Sequence, residues 1–375
     1  RPIRGRRLPP PVIQACILRK VRENIVRNVG RESRCVITVP AYFDETRRKA
    51  TADAGEMAGL RVRDILNEPT AAAIAFGESL GYLSAEGGSR RPMNVLVFDL
   101  GGGTFDVTLV HLEPGRLDTL AIDGEMELGG YDWDLALLDD LADEMVTAGF
   151  ADPRDDPARW AKVYQAVVEA KLALSARRKT RLRVMLDEGF FETEISRTRF
   201  ERCTADLLER TALRAQNVVE AAGMTWEDVD EVLLVGGATR MPMIPEMLEA
   251  LAGKKPRRNV NPDEAVARGA AIYAGYLLSE EYPELPVAAF KVVEVNAHTL
   301  GVEGIDPSTG GKTKIPVIPR NSKLPVSKTE VFCTERENQD SLAVPVIEGE
   351  SPDPAACSRI GTVVIERLPP GLPKG

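Results

Sequence analysis

The 375 residues carry 48 Lys and Arg against 57 Asp and Glu, a net charge of −9, with 43% apolar and 28% charged residues. That length suits two or three domains of roughly 100–200 residues each, the acidic balance argues against wrapping nucleic acid, and the apolar content argues against disorder. The longest uncharged runs, Leu8–Leu18 and Gly269–Ser279, reach eleven residues, where a membrane helix needs about 20, so a soluble chain is expected.

The first eleven residues, RPIRGRRLPPP, hold four Arg and four Pro and no Met. They read as a loop exposed by a cut into a longer chain, and the Pro-rich end Pro369–Gly375 reads the same way. From Val12 to Val29 apolar residues recur at helical spacing. Cys35–Val39 is a short buried strand stopped by Pro40, and Thr46–Ala58 is a helix ended by Gly59. Val62–Leu66 is a strand, and Asn67-Glu68-Pro69 opens a helix with proline in its first turn. A Gly/Ser/Arg loop, Glu86–Pro92, leads to the apolar run Val95–Phe98. A glycine turn follows, and Val107–Leu112 completes a hairpin. Helices are predicted over Pro157–Lys179 and Thr204–Ala222, with a capping-box pattern at Thr225–Asp228. The strand Val232–Val235 enters a second glycine turn, followed by a helix from Pro242, and Ala265–Leu278 is helical. Alternating strands and helices up to this point imply an α/β domain. Beyond Glu280 the pattern changes to short runs broken by Gly and Pro: Val317–Ile318, Thr329–Thr334, Leu342–Ile347 and Thr362–Ile365. Those predict an all-β unit joined through an apolar linker.

Five cysteines are scattered without a C-x-x-C pair, which argues against a zinc cage or a disulfide framework and suits a reducing compartment. The two histidines, His111 and His298, show no triad or metal spacing and read as ordinary strand or loop residues.

The stretch Asp99-Leu100-Gly101-Gly102-Gly103-Thr104-Phe105-Asp106 carries the chemistry. Three glycines let backbone N–H groups approach an anion closely. Asp99 is placed to hold hydrated Mg²⁺, and the Thr104 hydroxyl to meet a terminal phosphate. A plain hairpin turn is the competing reading, although it needs neither three glycines nor flanking carboxylates. The second turn, Val235 to Arg240, would present N–H groups and a helix start to a ligand, with Arg240 stacking on a flat base. Glu68 suits orienting a water for attack, or simply serves as a favourable first-turn acid.

In family order, the segments VITVPAYF (Val36 to Phe43), NEPTAAA (Asn67 to Ala73), Asp99 to Asp106, Leu128-Gly129-Gly130, VGGATRMP (Val235 to Pro242) and VNPDEAV (Val260 to Val266) resemble the 70-kDa heat-shock chaperone family. The resemblance implies an α/β fold: an actin-like ATPase (ribonuclease H-like) domain lacking its first part over 1–284, a linker over 285–294, and a partial peptide-binding β-sandwich over 295–375. By it, Glu68 positions the attacking water, Asp99 is a Mg²⁺-shell carboxylate acting through water, and Thr104 joins them in catalysis. Gly101, Gly102, Gly103 and Asp106 support the β- and γ-phosphates. Gly129, Gly130, Lys171, Ser175, Gly236, Gly237, Arg240 and Asp263 complete the ATP/ADP site. Pro40 and Arg48 correspond to a proline switch and its arginine partner. Val302, Phe332, Gln339, Leu342 and Val344 would line a groove for extended apolar peptides.

The departures are local. Val168 stands where the family has a ribose-binding glutamate, and Tyr131 replaces an acid after Gly130. Both changes remove polar contacts to nucleotide. Asp64 stands where the family has an arginine that meets a J-domain cochaperone. Docking there would bring like charges together, with Arg63 beside it as a substitute. Lys291 interrupts the apolar linker, and Glu335 replaces a small groove residue. The family's first phosphate hairpin and catalytic lysine lie before this chain's first residue, so weak hydrolysis or none by this chain alone is expected.

The expectation is therefore an ATP-dependent folding chaperone, cytoplasmic and monomeric, using Mg²⁺. Its partners would be unfolded polypeptide, a J-domain cochaperone and a nucleotide exchange factor, with neither nucleic acid nor membrane involved. The alternative is a degenerate, non-hydrolysing binding or exchange partner, and an actin-fold sugar kinase is a third reading.

Overall fold

Helix α1 (Pro10–Val29) opens the computed structural model, which describes residues 5, 7–30, 34–83, 90–257, 261–282, 284–285, 290–306 and 308–374. Strands β1 (Arg34–Val39) and β2 (Arg61–Asn67) pair in parallel, with α2 (Glu45–Met57) crossing between them. Asp44 caps α2 by accepting from the Arg47 N–H. A Cβ on Gly55 of α2 would lie 2.6 Å from both Ile37 and Val62, so this helix rests directly on the two strands. Helix α3 (Glu68–Ser79) is buried from Pro69 to Gly77. Its small side chains Ala71, Ala72, Ala73 and Ala75 let neighbours approach on all sides.

Strands β3 (Met93–Leu100), β4 (Phe105–Glu113) and β5 (Arg116–Glu125) form an antiparallel meander. Helices α4 (Gly130–Thr147) and α5 (Pro157–Ala176) come next. They lead to the hairpin β6 (Lys179–Leu186) and β7 (Gly189–Ser196), then to α6 (Arg197–Cys203) and α7 (Ala205–Ala221). Thr225 and Asp228 cap a short 3-10 turn, Trp226–Asp228, in the reciprocal manner their spacing predicts. Strand β8 (Glu231–Val235) pairs in parallel with β3. The 3-10 turn Gly237–Arg240 precedes α8 (Met243–Ala252) and α9 (Ala265–Glu281). Strand β9 (Lys291–Val293) then joins β5 in parallel, completing a five-stranded sheet in the order β8-β3-β4-β5-β9.

The central strands explain why the sheet is the core. Successive side chains of a strand point to opposite faces. Leu96, Phe98 and Leu100 enter one apolar cluster with Trp133, Leu137 and Val167, while Val95 and Val97 enter another with Ala71, Ile74, Phe76 and Phe290. A strand buried on both faces reads as a continuous apolar run, as Val95–Phe98 does.

The last unit is a four-stranded antiparallel sheet, β11-β10-β12-β13, built from β10 (Leu300–Ile305), β11 (Lys312–Ile318), β12 (Ser341–Glu348) and β13 (Ser358–Glu366). It meets the α/β unit along a polar seam. The Glu45 N–H donates to Glu348 Oε2 at 2.8 Å, Ser358 Oγ to Asp44 at 2.9 Å, and the Ile122 N–H to Asn321 Oδ1 at 3.0 Å.

Three expectations change. Thr329–Thr334 forms no strand; no neighbouring strand pairs with it, and β-branched composition alone does not make a sheet. The helix predicted to Lys179 stops at Ala176, because Leu182, Val184 and Leu186 alternate with exposed residues and fold as β6. Lys291–Val293 of the expected linker is a strand. There Phe290 and Val293 are buried while Lys291 stays exposed, so its charge does not oppose docking. Residues 286–289 of that linker, 86–89 of the Gly/Ser/Arg loop, 1–4 and 6 of the first segment, Val260 and Gly375 lie outside the described residues.

Candidate functional site

The glycine turn closes between paired strands. Asp99 lies opposite Asp106 and Leu100 opposite Phe105, and the Gly101 N–H donates to the Thr104 carbonyl at 3.0 Å. A Cβ on Gly102 or Gly103 would touch nothing within 4 Å, so the protein's own packing does not require glycine there. Gly129 and Gly236 differ. A Cβ on Gly129 would sit 2.4 Å from the Gly103 nitrogen, and one on Gly236, whose φ is +84°, 2.3 Å from the Leu100 carbonyl oxygen. These two glycines let three loops press together. The Gly130 and Tyr131 N–H groups donate to Gly101 and Gly102 at 2.9 and 2.8 Å, so the first amides of α4 hold the hairpin.

Beside the turn, three carboxyl groups crowd together. Asp99 and Asp106 are buried and Glu68, at the first position of α3, is half-buried. Burial, together with the neighbouring Glu68 charge, pushes the Asp99 carboxyl up to about 7. Burial and Asp99 push Asp106 well above the ordinary carboxylate range, although the Tyr42 N–H donates to Asp106 Oδ1 at 2.9 Å. Burial alone raises Glu68. Like charges crowded away from water favour either protons or a cation. No lysine or arginine pairs with these three among the described residues. Nor are three acidic, His or Cys groups placed there to grip a metal directly. The set therefore fits a hydrated Mg²⁺ held through its water shell.

A cavity of about 430 Å³ opens next to the turn. Gly101, Gly102, Gly130, Lys171, Ser175, Gly237 and Arg240 all line it, so the structure brings together glycines and polar groups from four separate segments. Lys171 Nζ donates to the Gly130 carbonyl at 2.6 Å and pairs with Asp134 Oδ1 at 2.8 Å. Ser175 Oγ lies 3.4 Å from the Lys171 carbonyl. Arg240 makes two hydrogen bonds to Asp263, at 3.0 and 2.6 Å, on the exposed rim. Gly103, Gly129 and Gly236 shape the cavity without lining it. Asp99 Oδ1 lies 2.9 Å from the Cβ position of Gly236, which connects the carboxyl cluster to this second glycine turn.

Two lining residues escaped the sequence reading. Asp134 anchors Lys171, its carboxyl raised by burial against the pull of that ammonium. Tyr164 lines the same wall, 5.8 Å from the Tyr131 ring and stacked on Trp160 at 4.7 Å. A signal was present: Trp160, Tyr164 and Lys171 recur at helical spacing on one face of α5. Val168 is half-buried and does not line the cavity.

The remaining expected residues sit elsewhere. Pro40 follows β1, and its carbonyl accepts from the Phe43 N–H at 3.2 Å. Arg48 donates to Asn67 Oδ1 at 2.5 Å and to the Ile65 carbonyl at 3.1 Å, bracing the residue that precedes Glu68. Asp64 accepts from the Tyr273 hydroxyl at 2.9 Å, and Arg63 pairs with Glu281. Asp64, expected to oppose docking, and Arg63, its substitute, are thus both engaged within the chain. In the second sheet Val302 and Val344 are buried on neighbouring strands, Leu342 is half-buried, and Phe332 is exposed on an irregular segment. Gln339 is buried, donating to the Ser341 carbonyl at 2.7 Å and accepting from the Glu335 N–H at 2.9 Å.

Comparison with known proteins finds relatives along nearly the whole chain. Residues 2–375 match the family model described as Hsp70 protein. The chain is 38% identical over 380 residues to the chaperone protein DnaK of Mycoplasmopsis pulmonis, covering 99% of this chain and 60% of that one. It is 38% identical over 382 residues to DnaK of Thermus thermophilus (100% and 59%) and 39% identical over 368 residues to DnaK of Halobacterium salinarum (96% and 55%). The chain thus spans 55–60% of the length of these curated relatives.

Proposed function

The chain belongs to the Hsp70 family, and we propose that it is the ATP-binding and hydrolysing part, with the beginning of the client-binding part, of an Hsp70-type chaperone. One observation supports this above the others. Two strand-to-glycine turns, from β3 and β8, converge on a single cavity with a crowded carboxyl cluster at their base. Phosphoryl transfer is catalysed by positioning and charge neutralisation rather than by covalent chemistry from the protein, and these are the parts it requires.

On this reading the backbone N–H groups of Gly101–Gly103 and the Thr104 hydroxyl cradle the β- and γ-phosphates. Bound Mg²⁺ would neutralise phosphate charge, its water shell held by Asp99 and Asp106. Glu68 orients the water for attack, and its raised affinity for protons suits it to accept one. Lys171, Ser175, Arg240 and Asp263 hold the nucleoside of ATP or ADP, with Tyr131 and Tyr164 forming its aromatic wall. Residues 1–284 are the nucleotide domain, 285–294 the linker and 295–375 the start of a β-sandwich. In that sandwich Val302, Phe332, Gln339, Leu342 and Val344 receive an extended apolar segment of an unfolded protein. Pro40 and Arg48 relay the state of the cleft toward the linker. A J-domain protein and an exchange factor are the expected cochaperones, with docking of the former opposed by the charge of Asp64. The chain acts as a monomer in the cytoplasm, a setting supported by five cysteines that are all free.

The test is calorimetric titration of the chain with MgATP and MgADP, followed by single-turnover hydrolysis. Glu68→Ala should retain binding and lower hydrolysis by roughly 10²–10⁴. Absence of nucleotide binding by the unmodified chain would sink the reading. Robust MgATP turnover by the full-length protein would remove the non-hydrolysing alternative.

A further inference from the structure

His298, which the sequence presents as an unremarkable loop residue, lies buried at the seam between the two sheets. Its Nε2 is 2.9 Å from the carbonyl oxygen of Tyr42. A carbonyl only accepts, so Nε2 carries the proton. The His298 ring also meets the Tyr42 ring edge-on, centroids 4.3 Å apart. On the other side of the same Cα, the Tyr42 N–H donates to Asp106 Oδ1 at 2.9 Å. Two consecutive hydrogen bonds therefore run from a side chain of the β-rich unit, through the backbone of one residue, to a carboxylate of the phosphate site.

The surroundings leave this arrangement little freedom. A Cβ on Gly124 would lie 3.0 Å from Asp106 Oδ1 and 3.0 Å from the Tyr42 Cβ, so β5 is wedged between the two. The Arg320 guanidinium lies 6.0 Å from the Tyr42 ring centre and donates to the Ile122 carbonyl at 2.8 Å. His298 is held in turn, because Asn296 Nδ2 donates to its carbonyl at 2.7 Å and to that of Pro319 at 2.9 Å. Neither end of the connection can shift without disturbing the other.

We propose that His298 is a positioning residue for the phosphate site: by donating to the Tyr42 carbonyl it fixes the backbone whose N–H orients Asp106. The inference rests on the nucleotide-binding reading and deepens it, making the shape of the carboxyl cluster depend on the β-rich unit being seated. Coupling between sites is reciprocal, so a ligand that orders Asp106 also tightens the His298 contact.

Reach, rather than polarity, is the property to test. Gln places an N–H donor where the imidazole Nε2 sits. Asn is polar but falls short, and Leu fills the space without donating. Two measurements are made on the whole chain: hydrogen exchange of the Tyr42 amide, and ADP affinity with Mg²⁺ and with chelator. His298→Leu and His298→Asn should speed exchange at Tyr42 and reduce the Mg²⁺-dependent gain in ADP affinity, each roughly two- to tenfold, the range for losing one hydrogen bond. His298→Gln should restore both. Unchanged behaviour in His298→Leu, or equal damage in His298→Gln, overturns the proposal and leaves His298 a packing residue. If His298→Leu does not fold, the contrast between Asn and Gln decides. If the unmodified chain binds no ADP, the functional reading fails, and Tyr42 exchange alone decides this inference.

Discussion

The two sheets of this molecule bury themselves in different ways. Every residue of β3 from Val95 to Leu100 is buried, with apolar clusters on both faces. At the edge of the second sheet, β13 leaves Val363, Val364 and Ile365 between 43% and 55% exposed. The first sheet is a core. The second leaves apolar side chains exposed on both faces of its edge strand. The difference shows that one stretch of β-strand is fixed by packing on both faces, while the other is held mainly by its backbone pairing.

Paired truncations would break that comparison most sharply. Phe98→Ala should destabilise the fold by about 3–5 kcal/mol, whereas Val364→Ala on β13 should stay within about 0.5 kcal/mol, both read from denaturant midpoints. Equal losses would mean that the second sheet is as much a core as the first. A middle-sized effect belongs to the carboxyl cluster. Asp99 has its folded value raised to about 7 from 3.8. The folded chain therefore binds more protons than the unfolded one between these values. Without Mg²⁺, stability should fall as pH rises from about 4 to about 7, by on the order of 1–4 kcal/mol. Asp99→Asn should flatten that slope and Mg²⁺ should offset it near pH 8. A flat profile in the unmodified chain would show that the cluster is not strained. The smallest effect is at the cavity rim. Asp263→Ala removes an exposed ion pair with Arg240 and should cost less than about 1 kcal/mol of stability, while weakening ADP binding measurably. A large loss of stability there would show that the rim is structural.

The glycine turns were legible because their chemistry is local. Three consecutive glycines between carboxylates, entered from an apolar run, constrain both backbone and ligand. Gly129 and Gly236 carry a less visible demand, since what forbids a side chain at each is another loop's backbone, far away in sequence. The hairpin of β6 and β7 was concealed by α5, because Arg177 and Arg178 are good helix formers and nothing in them marks the stop. Thr329–Thr334 failed in the opposite sense: its composition suits a strand, but strands exist only in pairs. His298 left no trace in the sequence, because its partner is a main-chain carbonyl 256 residues away and a carbonyl belongs to every residue.

Strand β9 has a mechanical consequence. It is only three residues long, attached at the outer edge of the sheet, with the Lys291 N–H donating to the Gly115 carbonyl at 2.9 Å and Phe290 tucked beneath. A few net hydrogen bonds at about 1 kcal/mol each and one buried ring at about 2–3 kcal/mol make a clasp of a few kcal/mol. Saturating a binding site at a hundred times its Kd supplies about 2.7 kcal/mol. The attachment of β9 is therefore a clasp whose strength is of the same order as the free energy one bound small molecule supplies.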